Sequence, residues 1–152
     1  MRLTIERGAV DSADGRRLFA ELWAEVDRIY GNEDPSGKEL TGMEVPRALF
    51  VMARQRGETI GCGAIRPWSD QVAEVKRLYV SPAHRGRGVA RQIMQALEQF
   101  ARETRFSEIW LETGLRQHAA IRLYESLGYR RIAGFGDYKD DPLSVCYGRL
   151  LG

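Results

Sequence analysis

The chain has 152 residues, 43% hydrophobic and 29% charged, and its 23 basic and 21 acidic side chains leave a net charge of +2. That length fits one domain, residues 1–152, with room for a real hydrophobic core, and the composition excludes a disordered chain. The near-balanced charge excludes a global pull toward nucleic acid, and no apolar run is long enough to span a bilayer.

In chain order, RLTIER reads as a short strand, and the opening MRLTIERGAV lacks the apolar centre of a secretory signal. DSADGRRLFAELWAEVDRIYG reads as a helix, with Leu18, Leu22, Val26 and Tyr30 recurring every four residues. The polar, turn-rich stretch from Gly31 to Gly42 is expected to be a mobile loop within the domain. RALFVMAR and ETIGCGAIRP are strands joined by the turn QRGE, and AEVKRLYV is a third run of that kind. VARQIMQALEQFARE is the clearest helix, its apolar stripe formed by Ile93, Leu97, Phe100 and Ala101. SEIWLETG is a strand, QHAAIRLYESLG a helix closing at Gly128, and YRRIAGF and PLSVCYGRLL two closing strands. The strand–helix–strand run from Val75 to Thr113 should be parallel, because its crossover is a helix. Cys62 and Cys146 form no C-x-x-C and each sits in a strand-like apolar run as a small core residue. The chain therefore reads as a reduced, cytoplasmic protein.

One junction carries chemistry. Arg85, Gly86, Arg87 and Gly88 lie between a strand and the clearest helix. A helix start offers unpaired N–H groups and partial positive charge. Glycines let the backbone approach a ligand, and arginines add charge-assisted donors that suit phosphate oxygens. The combination reads as a phosphate cradle; the plain alternative is a helix start with solvated arginines. The Walker template is absent, since no Gly-Lys pair is followed by Ser or Thr. The dinucleotide template fails at its third glycine, where Arg91 stands.

Arg85-Gly86-Arg87-Gly88-Val89-Ala90 matches [QR]-x-x-G-x-[GA], and the chain here resembles the GNAT superfamily of acyl-coenzyme-A-dependent N-acetyltransferases. EVKRLYVSP resembles the family's fourth strand, SEIWLETG its fifth, and AAIRLYESLGYRR its later helix. Close resemblance covers Glu74 to Arg131. It implies an α/β (α+β) fold: a central mixed sheet of about seven strands, helices on both faces, and parallel fourth and fifth strands splayed around the cofactor. It implies that the backbone of Leu78, Tyr79 and Val80 binds the pantetheine arm of acetyl-coenzyme A. Arg85, Gly86, Arg87, Gly88, Val89 and Ala90 would take its pyrophosphate, with Gln117 and Ala120 against the cofactor near Tyr124. Acetyl-coenzyme A would serve as acyl donor, with no metal.

The resemblance gives Tyr124 the role of general acid toward the leaving sulfur. The chemistry agrees, since a phenol with a reference pKa near ~10 can donate to a departing thiolate. By spacing alone Tyr124 reads as a core aromatic, in a stripe with Ile121 and Leu127. Glu74, eleven residues before Arg85, matches the base glutamate of the histone-acetyltransferase branch. Otherwise it is a solvated carboxylate, or one paired with Lys76 or Arg77. Glu112 is a rival base, and a water relay a third route. His84 and His118 read as bystanders, and no cluster has metal-ligand spacing.

The acceptor is expected to be a small-molecule or peptide amine, with no nucleic acid or membrane partner. Trp23, Tyr30, Trp68, Phe135 and Tyr138 are its expected walls. Asp27, Glu33, Asp34, Asp137, Asp140 and Asp141 are candidate acidic partners for a cationic amine. The alternatives are a catalytically silent acyl-coenzyme-A-binding module on the same fold and, on the partial glycine match alone, a nucleotide-binding regulatory domain. A homodimer is expected from the exposed sheet edge.

Overall fold

The computed structural model describes residues 2–31 and 43–152. Seven strands and three helices alternate as β1 (Leu3–Arg7), α1 (Ala13–Tyr30), β2 (Leu49–Gln55), β3 (Glu58–Pro67), β4 (Val72–Val80), α2 (Val89–Glu103), β5 (Glu108–Gly114), α3 (His118–Ser126), β6 (Arg130–Ile132) and β7 (Ser144–Leu150). The strands form one sheet in the order β1-β2-β3-β4-β5-β7-β6. Every pair is antiparallel except β4 and β5, which the α2 crossover makes parallel. The architecture is the mixed α/β one expected from the element order.

Local chemistry sets the element ends. Helix α1 starts two residues later than the sequence pattern suggests, because Ser12 caps it: its Oγ accepts from the Gly15 N–H at 3.1 Å. Gly31, at φ 78°, ends it with an N–H to the Asp27 carbonyl at 2.8 Å. Strand β6 is much shorter than the expected Tyr129–Phe135 run. Beyond Ile132 the chain leaves the sheet edge so that Phe135 can pack among Trp68, Trp110 and Tyr138, with ring centroids 5.0–5.4 Å away.

Side-chain alternation sorts the sheet into two faces. Val51, Ala53, Ile65, Val75, Ile109, Leu111, Val145 and Tyr147 pack with Ile93, Met94 and Leu97 of α2 and Tyr124 of α3. Phe50, Met52, Cys62, Ala64 and Tyr79 pack with Leu18 of α1 on the opposite face. Helices thus cover both faces. Gly63 lets α2 lie close on β3: a Cβ there would sit 2.7 Å from Ile93 Cγ2.

The feature that makes the site is a divergence of β4 from β5. Their pairing ends at Val75 and Leu111. Beyond that point Glu112, Thr113 and Gly114 pair only with β7. On β4 a bulge inserts one residue opposite Cys62–Ala64, and Arg77 takes a left-handed φ of 59° there. A bulge bends and twists its strand, which carries the end of β4 away from β5.

Candidate active site

The divergence opens a cleft of about 720 Å³ walled by β4, β5, α1 and α3, with the loop before α2 at one end. Leu78, Tyr79, Val80, Arg85, Gly86, Gly88, Val89, Ala90, Gln117, Ala120 and Tyr124 all line it. Arg87, the other expected phosphate contact, is exposed and outside the lining.

The loop is built by conformation. Gly86 and Gly88 adopt φ of 77° and 79°, and nothing lies within 4 Å of where a Cβ would be. Space would admit a side chain, but the left-handed backbone disfavours one. Gly88 caps α2 with no side-chain partner, so the first N–H groups of that helix face the loop.

Arg85 does not offer its fork to the cleft in the way the sequence pattern suggests. Its Nε donates to the Val80 carbonyl at 2.8 Å, and its two terminal nitrogens bind both oxygens of Glu25 at 2.7 Å. The Arg85 hydrogen bonds hold the Glu25 carboxyl below its usual range, against the opposing effect of burial. Arg85 therefore braces the loop against α1. Glu25 lies sixty residues away in sequence, which is why no local pattern points to the pair. Two residues outside the expected set also line this end. Arg91 donates to Ser126 Oγ at 2.7 Å, and His84 has a buried Nδ1 with no hydrogen-bond partner among the described residues.

Tyr124 is 5% exposed, and its ring meets Tyr129 edge-on at 6.0 Å. Among the described residues nothing hydrogen-bonds its hydroxyl. Burial, with a smaller contribution from the Glu112 carboxylate, pushes its pKa well above the ordinary phenol value. The phenol is therefore protonated throughout the neutral range.

The two candidate bases differ sharply in setting. Glu112 lines the cleft and accepts a hydrogen bond from Ser144 Oγ at 2.6 Å. Burial raises its pKa, and the Ser144 bond opposes that. Glu74 is 2% exposed and is not part of the lining. It lies 3.6 Å from Arg66 and 3.8 Å from Lys76, and accepts from the Tyr138 hydroxyl at 3.4 Å. The thiol of Cys62 is pushed up to about 12 by burial and donates to the Arg77 carbonyl at 3.4 Å, which suits a core residue.

The expected acceptor walls separate. Trp68, Trp110, Phe135 and Tyr138 form an aromatic cluster against the sheet. Trp23 lies under the Arg77 guanidinium at 4.9 Å. The Tyr30 hydroxyl accepts from the Arg116 N–H at 3.1 Å and ties the end of α1 to the end of β5. None of these rings lines the cleft, and neither do Asp27, Asp137, Asp140 and Asp141. Glu33 and Asp34, with the expected mobile loop, lie outside the described residues. No group of three His, Cys, Asp or Glu among the described residues could hold a metal ion. No described helix is long and apolar enough to cross a membrane.

The chain is similar to known proteins along nearly its whole length. The sequence profile of the acetyltransferase (GNAT) family matches residues 15–129. An IAA acetyltransferase from Azospirillum brasilense is 35% identical over 130 residues, covering 82% of this chain and 85% of that one. The crystal structure of a candidate acyl-CoA N-acyltransferase from Klebsiella pneumoniae has a TM-score of 0.84 and 34% identity, covering 99% of this chain and 98% of that one. A GNAT acetyltransferase from Elizabethkingia anophelis, solved with acetyl-CoA bound, shares the fold at a TM-score of 0.72 and 16% identity, covering 98% of each chain. A sheet opened between the parallel strands β4 and β5, a glycine-shaped loop at a helix start and these relatives agree: the chain belongs to the GNAT acetyltransferase family and is an acyltransferase.

Proposed function

We propose that the protein is an N-acetyltransferase that moves an acetyl group from acetyl-coenzyme A to a primary amine by direct attack in a ternary complex. The observation that carries this reading is the placement of the Tyr124 hydroxyl and the Glu112 carboxylate in one cleft between the diverging ends of β4 and β5.

The residues present fit the cofactor. The cleft has the volume of a small-molecule site. Leu78–Val80 lie where β4 pairs with β3 but no longer with β5, so the cleft-facing edge of β4 suits an amide-bearing arm, and the Gly86–Ala90 loop with the first turn of α2 suits a pyrophosphate. The buried, unpartnered Nδ1 of His84 is a further polar contact at that end. When bound, the thioester supplies an acyl carbon open to attack and a thiolate leaving group, so the products are the N-acetyl amine and free coenzyme A.

Around that chemistry Tyr124 holds a proton on its hydroxyl and gives it to the leaving sulfur. Glu112 takes the proton that the ammonium form of the amine must lose. Because burial raises Glu112, it is the stronger base once ionised, and it is protonated below its raised pKa. Turnover should therefore climb with pH along an acid limb lying above the usual carboxylate range. Glu112→Gln should remove that limb and slow turnover, and the defect should shrink at high pH, where the amine arrives neutral. Glu74→Gln should act more weakly, through the Lys76 and Arg66 it accompanies. A large Glu74→Gln defect beside an unchanged Glu112→Gln profile would give the base role to Glu74, and small effects of both would leave the proton to water.

Gly88→Asp forces a side chain into a left-handed backbone and sets a carboxylate against phosphate. Coenzyme A affinity, read by titration calorimetry on folded variant, should fall by more than about tenfold. Arg85→Ala should weaken binding less, by loosening the loop from Glu25. Unchanged affinity in Gly88→Asp would remove the cradle assignment. Thiol release over a panel of amines tests the whole reading: release that depends on an amine supports transfer, whereas binding without release supports the silent module. A homodimer formed through the outer strands β1 or β6 belongs to the same proposal, and a monomer mass in light scattering at tens of micromolar would rule it out.

A further inference from the structure

The acidic residues expected to attract a cationic amine do not line the cleft, whereas the neighbouring cations Lys76 and Arg77 do. The last paired residues of β4 and β5 are Val75 and Leu111, so Lys76 and Glu112 are the first residues past the apex of the divergence. Lys76 stands in register with Ala64 and Glu112 lies between the core-facing Leu111 and Thr113, which places both on the α1 face of the sheet. Both line the cleft and attract each other across it, with no direct ion pair or hydrogen bond between them. The apex therefore presents an ammonium from one strand and a carboxylate from the other.

Lys76 is an unusual place to keep a charge. Its side chain is 14% exposed. Its hydrogen bond goes to the neutral Tyr138 hydroxyl at 2.8 Å, and its nearest carboxylate, Glu74, is 3.8 Å away and shared with Arg66. An ammonium has three donors, so Lys76 keeps capacity for an anion. Burial lowers its pKa, the direction expected of a charge short of compensation. The bulge turns Arg77, the next residue, toward the same α1 face, over Trp23, and Arg77 also lines the cleft. A simple cationic amine or polyamine entering here would meet Lys76 as a like charge.

We infer that the acceptor is an amine that carries its own carboxylate close by, an α-amino acid or an amine of that class, with the carboxylate held by Lys76 beside Arg77 and the ammonium directed to Glu112. The inference rests on the acetyltransferase reading and deepens it. The transfer stays the one already written: the ammonium gives one proton to Glu112, the neutral nitrogen gains the acetyl group and loses its second proton, and the sulfur gains a proton from Tyr124, which that second proton replaces.

The test uses the full chain, acetyl-coenzyme A and matched sets of acceptors: the proteinogenic amino acids, their primary amides and their decarboxylated amines. Thiol release gives kcat/KM, and calorimetry on coenzyme-A-loaded protein gives acceptor affinity. The expected result is a preference of about 10-fold to 100-fold for the carboxylate member of a set, the range of one charge-assisted hydrogen bond. Lys76→Met should abolish that preference, mainly through KM, and Lys76→Arg should restore part of it. Amides and decarboxylated amines handled as well as the acids, or a preference that survives Lys76→Met, would overturn the inference. The wild-type panel decides this even where a variant fails to fold. Carboxylate-dependent binding without thiol release would uphold the inference and overturn the transfer reading. Release indifferent to the carboxylate would do the reverse. Neither binding nor release of any carboxylate-bearing amine overturns the inference as well.

Discussion

Tyr124→Phe should lower kcat by about 10²–10⁴, the usual loss for a general acid, with little change in coenzyme A affinity. The substitution removes one oxygen and keeps the ring. That ring packs in the core against Tyr129, so folding should be preserved. The hydroxyl makes no hydrogen bond among the described residues, so its removal orphans none of them. An effect of this size could then come only from the reaction, and it should appear equally in kcat and kcat/KM, as for an interaction made only in the transition state. The pH dependence separates the two roles. The raised pKa keeps the phenol protonated across the assay range, so Tyr124 contributes no limb between pH 6 and 9. If Glu112 is the base as proposed, the acid limb is its own and should persist in Tyr124→Phe at a lower plateau. A kcat near wild type would end the acid assignment whatever Glu112 does.

Arg149→Met should destabilise the fold by about 3 kcal/mol, toward the lower end of what loss of one partner of a buried ion pair costs. Glu98 on α2 is 3% exposed, and Arg149 Nη1 reaches it at 2.9 Å while the Tyr129 hydroxyl donates to it at 2.8 Å. With Arg149 gone, the carboxylate keeps one neutral donor in an apolar setting. The Arg149 side chain is 30% exposed, so water offsets part of the loss. For a chain of this size the melting temperature should fall by about 6–12 °C. Glu98→Met combined with Arg149→Met should recover much of it, because apolar groups of similar volume replace a buried pair at small cost. The triad ties α2 to β7 and to the residues after α3, and none of its members lines the cleft. Turnover measured well below the melting temperature should therefore be unchanged. A shift under about 1 kcal/mol, or a double variant no more stable than the single, would show that the pair does not act as a buried charge.

Much of the molecule was legible in the amino-acid order because the signals are local. The stripe of Ile93, Leu97 and Ala101 reports a 3.6-residue period and marks α2, and β3 and α2 run over the residues their apolar patterns imply. The Arg85–Ala90 hexapeptide combines two glycines at a helix start, and those two residues take left-handed backbone in the structure. Seven strands, and the parallel pairing of the two that flank α2, follow from periodicity and connection length, whereas the antiparallel pairing of β1 with β2 across helix α1 does not. What tertiary structure alone decided are the partners. Glu25 claims Arg85 across sixty residues, and Phe135 shortens β6 to reach Trp68 and Trp110. The bulge at Arg77 opens β4 from β5, so Glu112 faces the cleft while Glu74, two residues before Lys76 on the same strand, stays below the apex among Arg66, Lys76 and Tyr138. A one-dimensional pattern reports which face of its own element a side chain takes. Which charge stands opposite depends on register, on a one-residue bulge and on chain segments far apart in sequence, and those are set only when the sheet and helices pack together.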